Sequence, residues 1–236
     1  APDPFIFIEI EGTKILVMND LEIDRARSTA TVDTILSFSK YEEKANANRT
    51  TSPRMIDIVH LVLQEHNVTQ IIVPGNFAFR YARDLQKLGY DVETKDDPFY
   101  EQRLLKSKEE VQSIEMAQCA TEESLEIALQ VIREATIRND TIYSNGTPLT
   151  SEKIKQTIHI ALLERGCVGQ HTIVASGIHA CDPHNEGSGP LKANTSIIID
   201  IFPRASKTRY FADQTRTIVK GKASDKLHRL YNTVKE

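Results

Sequence analysis

Two aspartates carry the side chains best suited to chemistry in this sequence. Asp200 ends the run Ser196-Ile-Ile-Ile-Asp200, and Asp213 opens the segment Asp213-Gln-Thr-Arg-Thr217. Three consecutive isoleucines predict a strand that is buried on both faces. A carboxylate at the end of such a strand is costly unless it is paired, and a cation would pair it. The alternatives are that Asp200 caps the following turn and that Asp213 lies on a solvated polar strand.

The spacing around Asp213 favours a metal ligand with a supporting hydroxyl. Because side chains alternate along a strand, Asp213, Thr215 and Thr217 share one face, while Gln214 and Arg216 share the other. A hydroxyl two residues from a ligand suits a partner that orients it. Two oxygen donors at one point suit manganese, cobalt or zinc. They are not a complete site, since a dinuclear pair needs several more ligands.

A histidine precedes the two aspartates on a loop. His184 lies 16 residues before Asp200, within a stretch rich in Gly, Pro and Asn that spans residues 176–190. Such a histidine can be a ligand, a proton donor or a residue without a chemical role. His171 and His179 carry weaker signals and are predicted to be structural.

The elements that position these residues divide at a polar segment, 95–103, so we predict domains 1–103 and 104–236. In the first domain, strands are predicted at 5–9, 14–18, 32–38, 70–73 and 90–94, helices at 21–29, about 56–63 and 77–88, and an exposed loop at 39–51. This alternation indicates an α/β domain with a mixed sheet.

The second domain is predicted to open with a long helix. Ser107 and Glu110 form a capping-box signal at its start, and apolar residues follow at helical spacing for about eight turns. Further helices are predicted at 151–165 and around 227–234, and strands at 170–175, 195–201, about 208–213 and 214–219.

Composition excludes several functional classes. The 236 residues carry a net charge of -4 with a pI of about 6.0, which disfavours nucleic acid as a partner. No apolar run approaches the roughly 18 residues that span a membrane, and the first five residues lack the features of a signal peptide. Three cysteines without a CxxC spacing, Cys119, Cys167 and Cys181, indicate reduced thiols in a cytoplasmic protein.

Taken together, these motifs resemble the peptidase family of aminopeptidase P, prolidase and methionine aminopeptidase. The family pattern has Ala-Ser-Gly, then a histidine, an apolar strand ending in Asp, and Asp-x-Thr-Arg-Thr. This sequence reads Ala175-Ser176-Gly177, Pro183-His184, Ile197-Ile-Ile-Asp200 and Asp213-Gln214-Thr215-Arg216-Thr217. The resemblance covers about residues 104–236. Residues 1–95 resemble the creatinase-type N-terminal domain, and we expect the usual opening segment of that domain to be missing here.

The resemblance implies a fold and a set of roles. The fold is a creatinase-type α/β domain followed by the first half of an α+β pita-bread domain. Asp200 would bind one of two divalent metal ions, Asp213 would bridge both, and His184 would contact the substrate and stabilise the tetrahedral intermediate, with Thr215 and Arg216 supporting the ligands. The implied reaction is hydrolysis of the peptide bond before proline by a metal-activated hydroxide, in a homodimeric enzyme.

The sequence also departs from the family. The family's remaining metal ligands, one His and two Glu, are expected beyond Glu236. The segment from Arg204 to Arg209, between the two aspartates, is also longer and more basic than is usual in the family. We therefore expect an N-terminal fragment that is inactive, binds metal weakly and exposes apolar surface on strands 195–219 and their helices. The alternatives are a non-enzymatic peptide-binding relative, of the histone-chaperone type, and a metal-free hydrolase such as creatinase. Both aspartates argue against these alternatives.

Overall fold

A computed structural model describes residues 3–46 and 53–235 of the chain. The chain divides into two compact units, Ala1–Leu104 and Leu105–Glu236. The boundary predicted after residue 103 lies one residue before this division.

The elements of unit 1 follow the predicted alternation of strands and helices. In chain order they are β1 Ile6–Ile10, β2 Thr13–Met18, α1 Ile23–Thr29, β3 Thr34–Ser37, α2 Phe38–Asn46, α3 Met55–Glu65, β4 Gln70–Pro74, α4 Phe79–Lys87, β5 Asp91–Lys95 and the 3-10 turn Glu101–Leu104.

The strands of unit 1 form two separate sheets. β1 and β2 pair antiparallel around Glu11 and Gly12, which both have positive φ, at 49° and 83°. β3 adds to β2 in parallel, so this three-stranded sheet is mixed, as predicted. β4 and β5 pair in parallel as a second sheet.

Helix α3 packs against both sheets. Its Ile58 and Val62 lie in one apolar cluster with β1 and β2. Its Ile56 and Leu63 lie in a second cluster, which also includes residues of β4, α4 and β5. Opposite sides of one amphipathic helix therefore hold the two sheets together.

The loop predicted at 39–51 is wrong for residues 39–46, which form most of α2; residues 47–52 lie outside the described part. Phe38, Tyr41 and Ala45 follow helical spacing and pack on the cluster around Val62. The phenol of Tyr41 donates to Glu65, and Lys44 reaches the same carboxylate at 2.8 Å. Burial, reinforced by Glu65, raises the pKa of Tyr41 to about 12. The bond between Tyr41 and Glu65 joins residues 24 positions apart. This tertiary contact favours a helix here in spite of the polar composition of the segment.

Unit 2 combines two long helices with short strands. Its elements are α5 Lys108–Glu134, β6 Thr136–Arg138, β7 Thr141–Ser144, β8 Thr147–Pro148, α6 Ser151–Glu164, β9 Cys167–Val168, β10 Ile173–Ser176, a 3-10 helix Gly177–Cys181, β11 Ser196–Ile201, β12 Arg204–Ala205, β13 Gln214–Val219 and α7 Asp225–Lys235.

The long helix of unit 2 begins where the sequence predicts. Ser107 Oγ accepts from the N–H of Glu110 at 3.2 Å, and the Glu110 carboxylate accepts from the N–H of Ser107 at 2.7 Å. These bonds satisfy two donors that a helix start otherwise leaves unpaired. α5 and α6 pack on the sheet β10-β11-β13 around a core that includes Ala128, Ile158 and Ile199.

The strand predicted at about 208–213 is not formed. Arg209 takes a left-handed φ of 68°, and the segment folds back so that Ala205 N–H donates to the Tyr210 carbonyl at 2.9 Å. Tyr210 Oη lies 2.6 Å from the Glu110 carboxylate on α5, while β12 pairs with β9. The connection between β11 and β13 is therefore anchored on the start of α5 instead of extending the sheet.

Large exposed apolar side chains lie on the helices of unit 2, including Met116, Ile160, Leu163 and Val234. Within residues 195–219, Phe211 is also exposed, whereas the exposed residues of strands β11 and β13 themselves are Thr215, Arg216 and Thr217. The helices and Phe211 thus fit the expectation of exposed apolar surface, and β11 and β13 do not. None of the helices in the described ranges is long and apolar enough to cross a membrane.

Candidate functional site

Asp200 lies on the open face of the sheet in unit 2. Along β11, the buried residues Ile197, Ile199 and Ile201 alternate with half-buried residues that include Ile198 and Asp200. The expectation that this strand is buried on both faces is therefore wrong. Its alternation points Asp200 away from the apolar core, so the carboxylate needs no buried partner.

Thr215 lies directly across from Asp200 on the neighbouring strand. β11 and β13 pair antiparallel with Asp200 opposite Thr215, and Thr215 Oγ1 donates to Asp200 Oδ1 at 2.6 Å. This is a short, charge-assisted hydrogen bond. It fixes one carboxylate oxygen of Asp200 and leaves the other available.

Asp213 is the residue immediately before β13, two positions from Thr215. It is exposed, and its carboxylate makes no hydrogen bond or ion pair with any residue that the structure describes. Asp213 lies outside the paired residues, and the alternation expected from the sequence would put it on the same side as Thr215, which is opposite Asp200. Both aspartates therefore lie at one end of the β11–β13 pair.

Arg216 does not approach Asp200. It pairs with Ile199 in the register, and its guanidinium donates to the carbonyl of Thr215 at 2.9 Å. Arg216 thus lies on the other face from Thr215, as the alternation predicts. A supporting role for it beside the aspartates stays a prediction.

His184 shares a cavity with Asp200. It follows the 3-10 helix Gly177–Cys181, in a turn where its own N–H donates to Asp182 Oδ1 at 3.0 Å. His184 and Asp200 both line a cavity of about 470 Å³, and the other residues that line it are His171, Ile173, Pro183, Glu186 and Phe202. Asp213 is not among these lining residues.

Two residues of this cavity were not identified from the sequence. His171, predicted to be structural, is 77% exposed and hydrogen-bonds through Nδ1 to Glu186 Oε1 at 2.9 Å. Its φ of 56° is left-handed, a conformation that costs about 1–3 kcal/mol in a residue other than glycine. The sequence signal for His171 is its place two residues before strand β10, whereas its pairing with Glu186 depends on how the loop folds.

The loop that carries His184 and Glu186 is tied to α6 and β10. The Val174 N–H donates to the Glu186 carbonyl at 3.1 Å, and Lys155 Nζ donates to the Gly187 carbonyl at 3.0 Å. Gly187 has a φ of 74°, and a Cβ there would lie 1.9 Å from the Val174 carbonyl oxygen. The loop can pass this close to β10 only because residue 187 has no side chain.

Residues at the start of α6 hydrogen-bond to β10 and to the C-terminal part of the same loop. Ser151 Oγ donates to the Val174 carbonyl at 2.7 Å, and Glu152 Oε1 accepts from the N–H of Gly189 at 3.0 Å. The Gly189 bond is the main reason that the pKa of Glu152 is lowered. A charged Glu152 in the first turn also suits the helix dipole.

A second histidine lies behind the site. His159 on α6 is within 3.0 Å of Thr172 Oγ1 through Nε2, and Thr172 is 1% exposed. Burial lowers the pKa of His159, and the positive charge of Lys155 lowers it further. The charge of Glu186 has the opposite, smaller effect. Through Thr172, the residue before β10, this histidine contacts the start of that strand.

The donor chemistry of the site fits a hard divalent cation only in part. Asp200 and Asp213 offer carboxylate oxygens, which such cations prefer. Within residues 3–46 and 53–235, no group of three or more His, Cys, Asp or Glu side chains is placed to hold a metal ion. Sites that hold metal firmly usually take three or more protein ligands.

Comparisons with known proteins place this geometry in context. Residues 113–236 match metallopeptidase family M24. An Xaa-Pro dipeptidase of Pyrococcus furiosus is 22% identical over 234 residues, covering 98% of this chain and 58% of that protein. An uncharacterized peptidase of Staphylococcus aureus is also 22% identical, over 237 residues and 59% of its length.

Solved structures share the fold of both units. An Xaa-Pro dipeptidase from Bacillus anthracis matches with a TM-score of 0.76 and 18% identity, over 99% of this chain and 59% of that one. An X-Pro aminopeptidase from Thermotoga maritima matches with a TM-score of 0.72 and 19% identity, over 98% and 59%. The predicted α/β fold class is confirmed, and the chain spans about 59% of the length of these relatives.

Proposed function

The chain belongs to metallopeptidase family M24, and from that membership we propose that it is part of a longer enzyme that hydrolyses the peptide bond before proline. We call this longer enzyme the parent protein. The observation that carries the proposal is the pair of strands β11 and β13, which hold Asp200 and Asp213 at one end with Thr215 bonded to Asp200. Relatives named as Xaa-Pro dipeptidase or aminopeptidase support the substrate class.

Each residue has a role in this proposal. Asp200 and Asp213 would bind divalent cations, manganese, cobalt or zinc, and the remaining ligands would come from the parent protein outside these 236 residues. Such cations supply an acidified water and polarise the carbonyl of the scissile bond. Thr215 holds Asp200 in one rotamer. His184, which lines the same cavity as Asp200, would donate a hydrogen bond to the carbonyl oxygen that becomes negative during attack on the peptide bond.

The alternative of a peptide-binding protein without activity lacks a role for these carboxylates. A module that only binds peptide has no need of two aspartates at one end of the β11–β13 pair, and neither has a hydrolase that works without metal. The aspartates therefore favour the metallopeptidase.

A peptidase assay on the parent protein tests the proposal. We expect cleavage of Xaa-Pro peptides with a free N-terminus, abolished by a chelator and restored by added Mn²⁺, Co²⁺ or Zn²⁺. Asp213→Asn should lower kcat by orders of magnitude, because the neutral amide is a poor metal ligand. Asp225→Asn, at the exposed start of α7, is the matched control and should retain turnover.

Two results would contradict the proposal. Near-normal turnover of Asp213→Asn with its metal content verified would remove Asp213 from the site. The 236-residue chain alone should show no turnover and bind Mn²⁺ weakly in calorimetry. Tight binding of two ions by this chain would mean that it completes the site with ligands of its own.

A further inference from the structure

A histidine and a glutamate in unit 2 form a pair that has no role in the proposed reaction so far. His171 Nδ1 lies 2.9 Å from Glu186 Oε1, and both residues line the cavity that His184 and Asp200 also line. Ile173, which is opposite Asp200 in the register of β10 and β11, comes two residues after His171. The pair therefore belongs to the same cavity as the residues assigned to the chemistry.

The backbone holds both members of the pair in place. His171 has a φ of 56°, a left-handed conformation that is unfavourable for a residue other than glycine. The Glu186 carbonyl accepts from the Val174 N–H at 3.1 Å and from Lys155 Nζ at 3.2 Å. Because an exposed ion pair adds little to stability, the pairing of the two side chains does not by itself offset the strain at His171. This strained, anchored arrangement points to a functional role.

One oxygen of the Glu186 carboxylate remains available. Oε1 is bonded to His171, whereas Oε2 makes no hydrogen bond or ion pair with any residue in the described part of the chain. Lys155 binds the carbonyls of Glu186 and Gly187 and forms no ion pair with the carboxylate. The Glu186 side chain is 46% exposed. A carboxylate that is oriented by one neighbour and keeps one oxygen free can bind a cationic group by a charge-assisted hydrogen bond.

The other side chains that line the cavity restrict the choice of ligand. Ile173, Pro183 and Phe202 are apolar. A cavity that combines apolar side chains with a free carboxylate oxygen suits lysine and arginine, whose side chains have an apolar stem and a cationic end. The ring of proline carries no charge, so it offers such a carboxylate nothing to bind.

We propose that Glu186 determines substrate specificity by binding the cationic end of a Lys or Arg side chain in the residue before proline, with His171 as the positioning residue for Glu186. The inference rests on the proposed function, because it assigns this cavity to the substrate of that reaction. In a dipeptide that ends in proline, the residue before proline carries the one variable side chain. The parent protein should therefore prefer Lys-Pro over Met-Pro, since lysine and methionine both have unbranched side chains and differ in charge.

Steady-state kinetics of the parent protein on Xaa-Pro peptides of one length test the role of Glu186. Glu186→Gln should lower kcat/KM for Lys-Pro by about 10–100-fold, the usual loss for a hydrogen bond to a charged group, and should change kcat/KM for Met-Pro by less than about threefold. Glu186→Lys should favour Glu-Pro over Lys-Pro. Glu164→Gln, in an exposed carboxylate at the end of α6 that does not line the cavity, is the matched control and should keep the lysine preference.

The same ratio of Lys-Pro to Met-Pro turnover tests the positioning role of His171. His171→Ala should lower the lysine preference by about 3–10-fold, because Glu186 loses the donor that orients it. His171→Asn should restore most of the preference, since asparagine tolerates a left-handed backbone and its amide is a hydrogen-bond donor. The preference is a ratio measured on one preparation, so it does not depend on how much of a variant is folded.

Several results would overturn the proposal. Equal losses for Lys-Pro and Met-Pro in Glu186→Gln would assign Glu186 to the α-ammonium group that all these substrates share, or to the support of the site. An unchanged lysine preference in Glu186→Gln would exclude Glu186, and a His171→Asn variant no better than His171→Ala would exclude the positioning role. Turnover of Met-Pro without a lysine preference in the wild type would refute this inference and leave the peptidase proposal intact. If the wild type cleaves no Xaa-Pro peptide, both fail.

Discussion

Thr215 Oγ1 donates a 2.6 Å hydrogen bond to Asp200 Oδ1 across the β11–β13 pair. The two residues are directly opposite in the antiparallel register. This hydrogen bond orients the carboxylate of Asp200, a residue that lines the same cavity as His184. Thr215 is thus a positioning residue for Asp200.

Replacing Thr215 by valine in the parent protein should weaken metal binding and lower kcat by roughly 10–100-fold, the usual effect of losing a hydrogen bond to a metal ligand. Metal titration and steady-state kinetics measure both. Thr217→Val, one turn of the pleat further along the same face, is the control and should change neither. Thr215→Ser should recover most of the loss. An equal effect of the two valine variants would point to strand stability and not to Asp200.

Truncating His184 to alanine in the parent protein should leave the metal content intact and slow turnover roughly 10²–10³-fold, as the loss of one donor to the transition state does. Metal analysis and kcat on an Xaa-Pro peptide check this. His179→Ala, from the neighbouring 3-10 helix, is the control. Loss of metal in His184→Ala would identify His184 as a ligand.

Substituting Gly187 by alanine should destabilise unit 2 by roughly 3 kcal/mol or more, because the new Cβ would collide with a backbone carbonyl that cannot move freely. Gly189→Ala is a closely matched control. Gly189 also has positive φ, at 69°, but nothing lies within 4 Å of a Cβ built there. It should lose only about 1 kcal/mol. Urea denaturation of both variants measures the difference, and equal losses would show that the close approach to Val174 is unimportant.

We expect His159 to contribute to the loss of folding stability at acidic pH. Because its pKa is lowered in the folded protein, the unfolded chain binds the proton more readily. The folded state therefore has its full stability above about pH 6.5, the unperturbed histidine value, and loses stability as the pH falls below it. His159→Gln should reduce the drop in Tm between pH 7.5 and 5.5. An unchanged drop would assign the acid sensitivity to other groups.

Local patterns in the sequence predict the elements that carry the aspartates. The Ile run and the Asp-x-Thr-x-Thr alternation predict β11, β13 and the shared face of Asp213 and Thr215, and the capping box predicts the start of α5. These signals work because each depends on residues within a few positions of one another. The role of Asp213 stays a prediction.

Features that depend on distant partners were missed. α2 forms because Tyr41 is buried and bonded to Glu65, and the 208–213 segment leaves the sheet as Tyr210 meets Glu110, 100 residues earlier. His171, which lines the cavity, is hydrogen-bonded there to Glu186, a residue 15 positions later in the chain. No window of neighbouring residues contains such pairings, since tertiary contacts override local preference.

The alternation of β11 has a consequence for which insertions and deletions the gene can tolerate. Deleting one residue inside β11 before Asp200 would exchange its two faces, turning the carboxylate into the space of Ile199 and an isoleucine out to solvent. Burial of that charge would cost several kcal/mol. The turn at 207–209 can change length without this penalty, because it lies outside β11 and β13 and between the anchored residues Ala205 and Tyr210. Length variation among homologous genes should therefore concentrate in that turn and spare the strands.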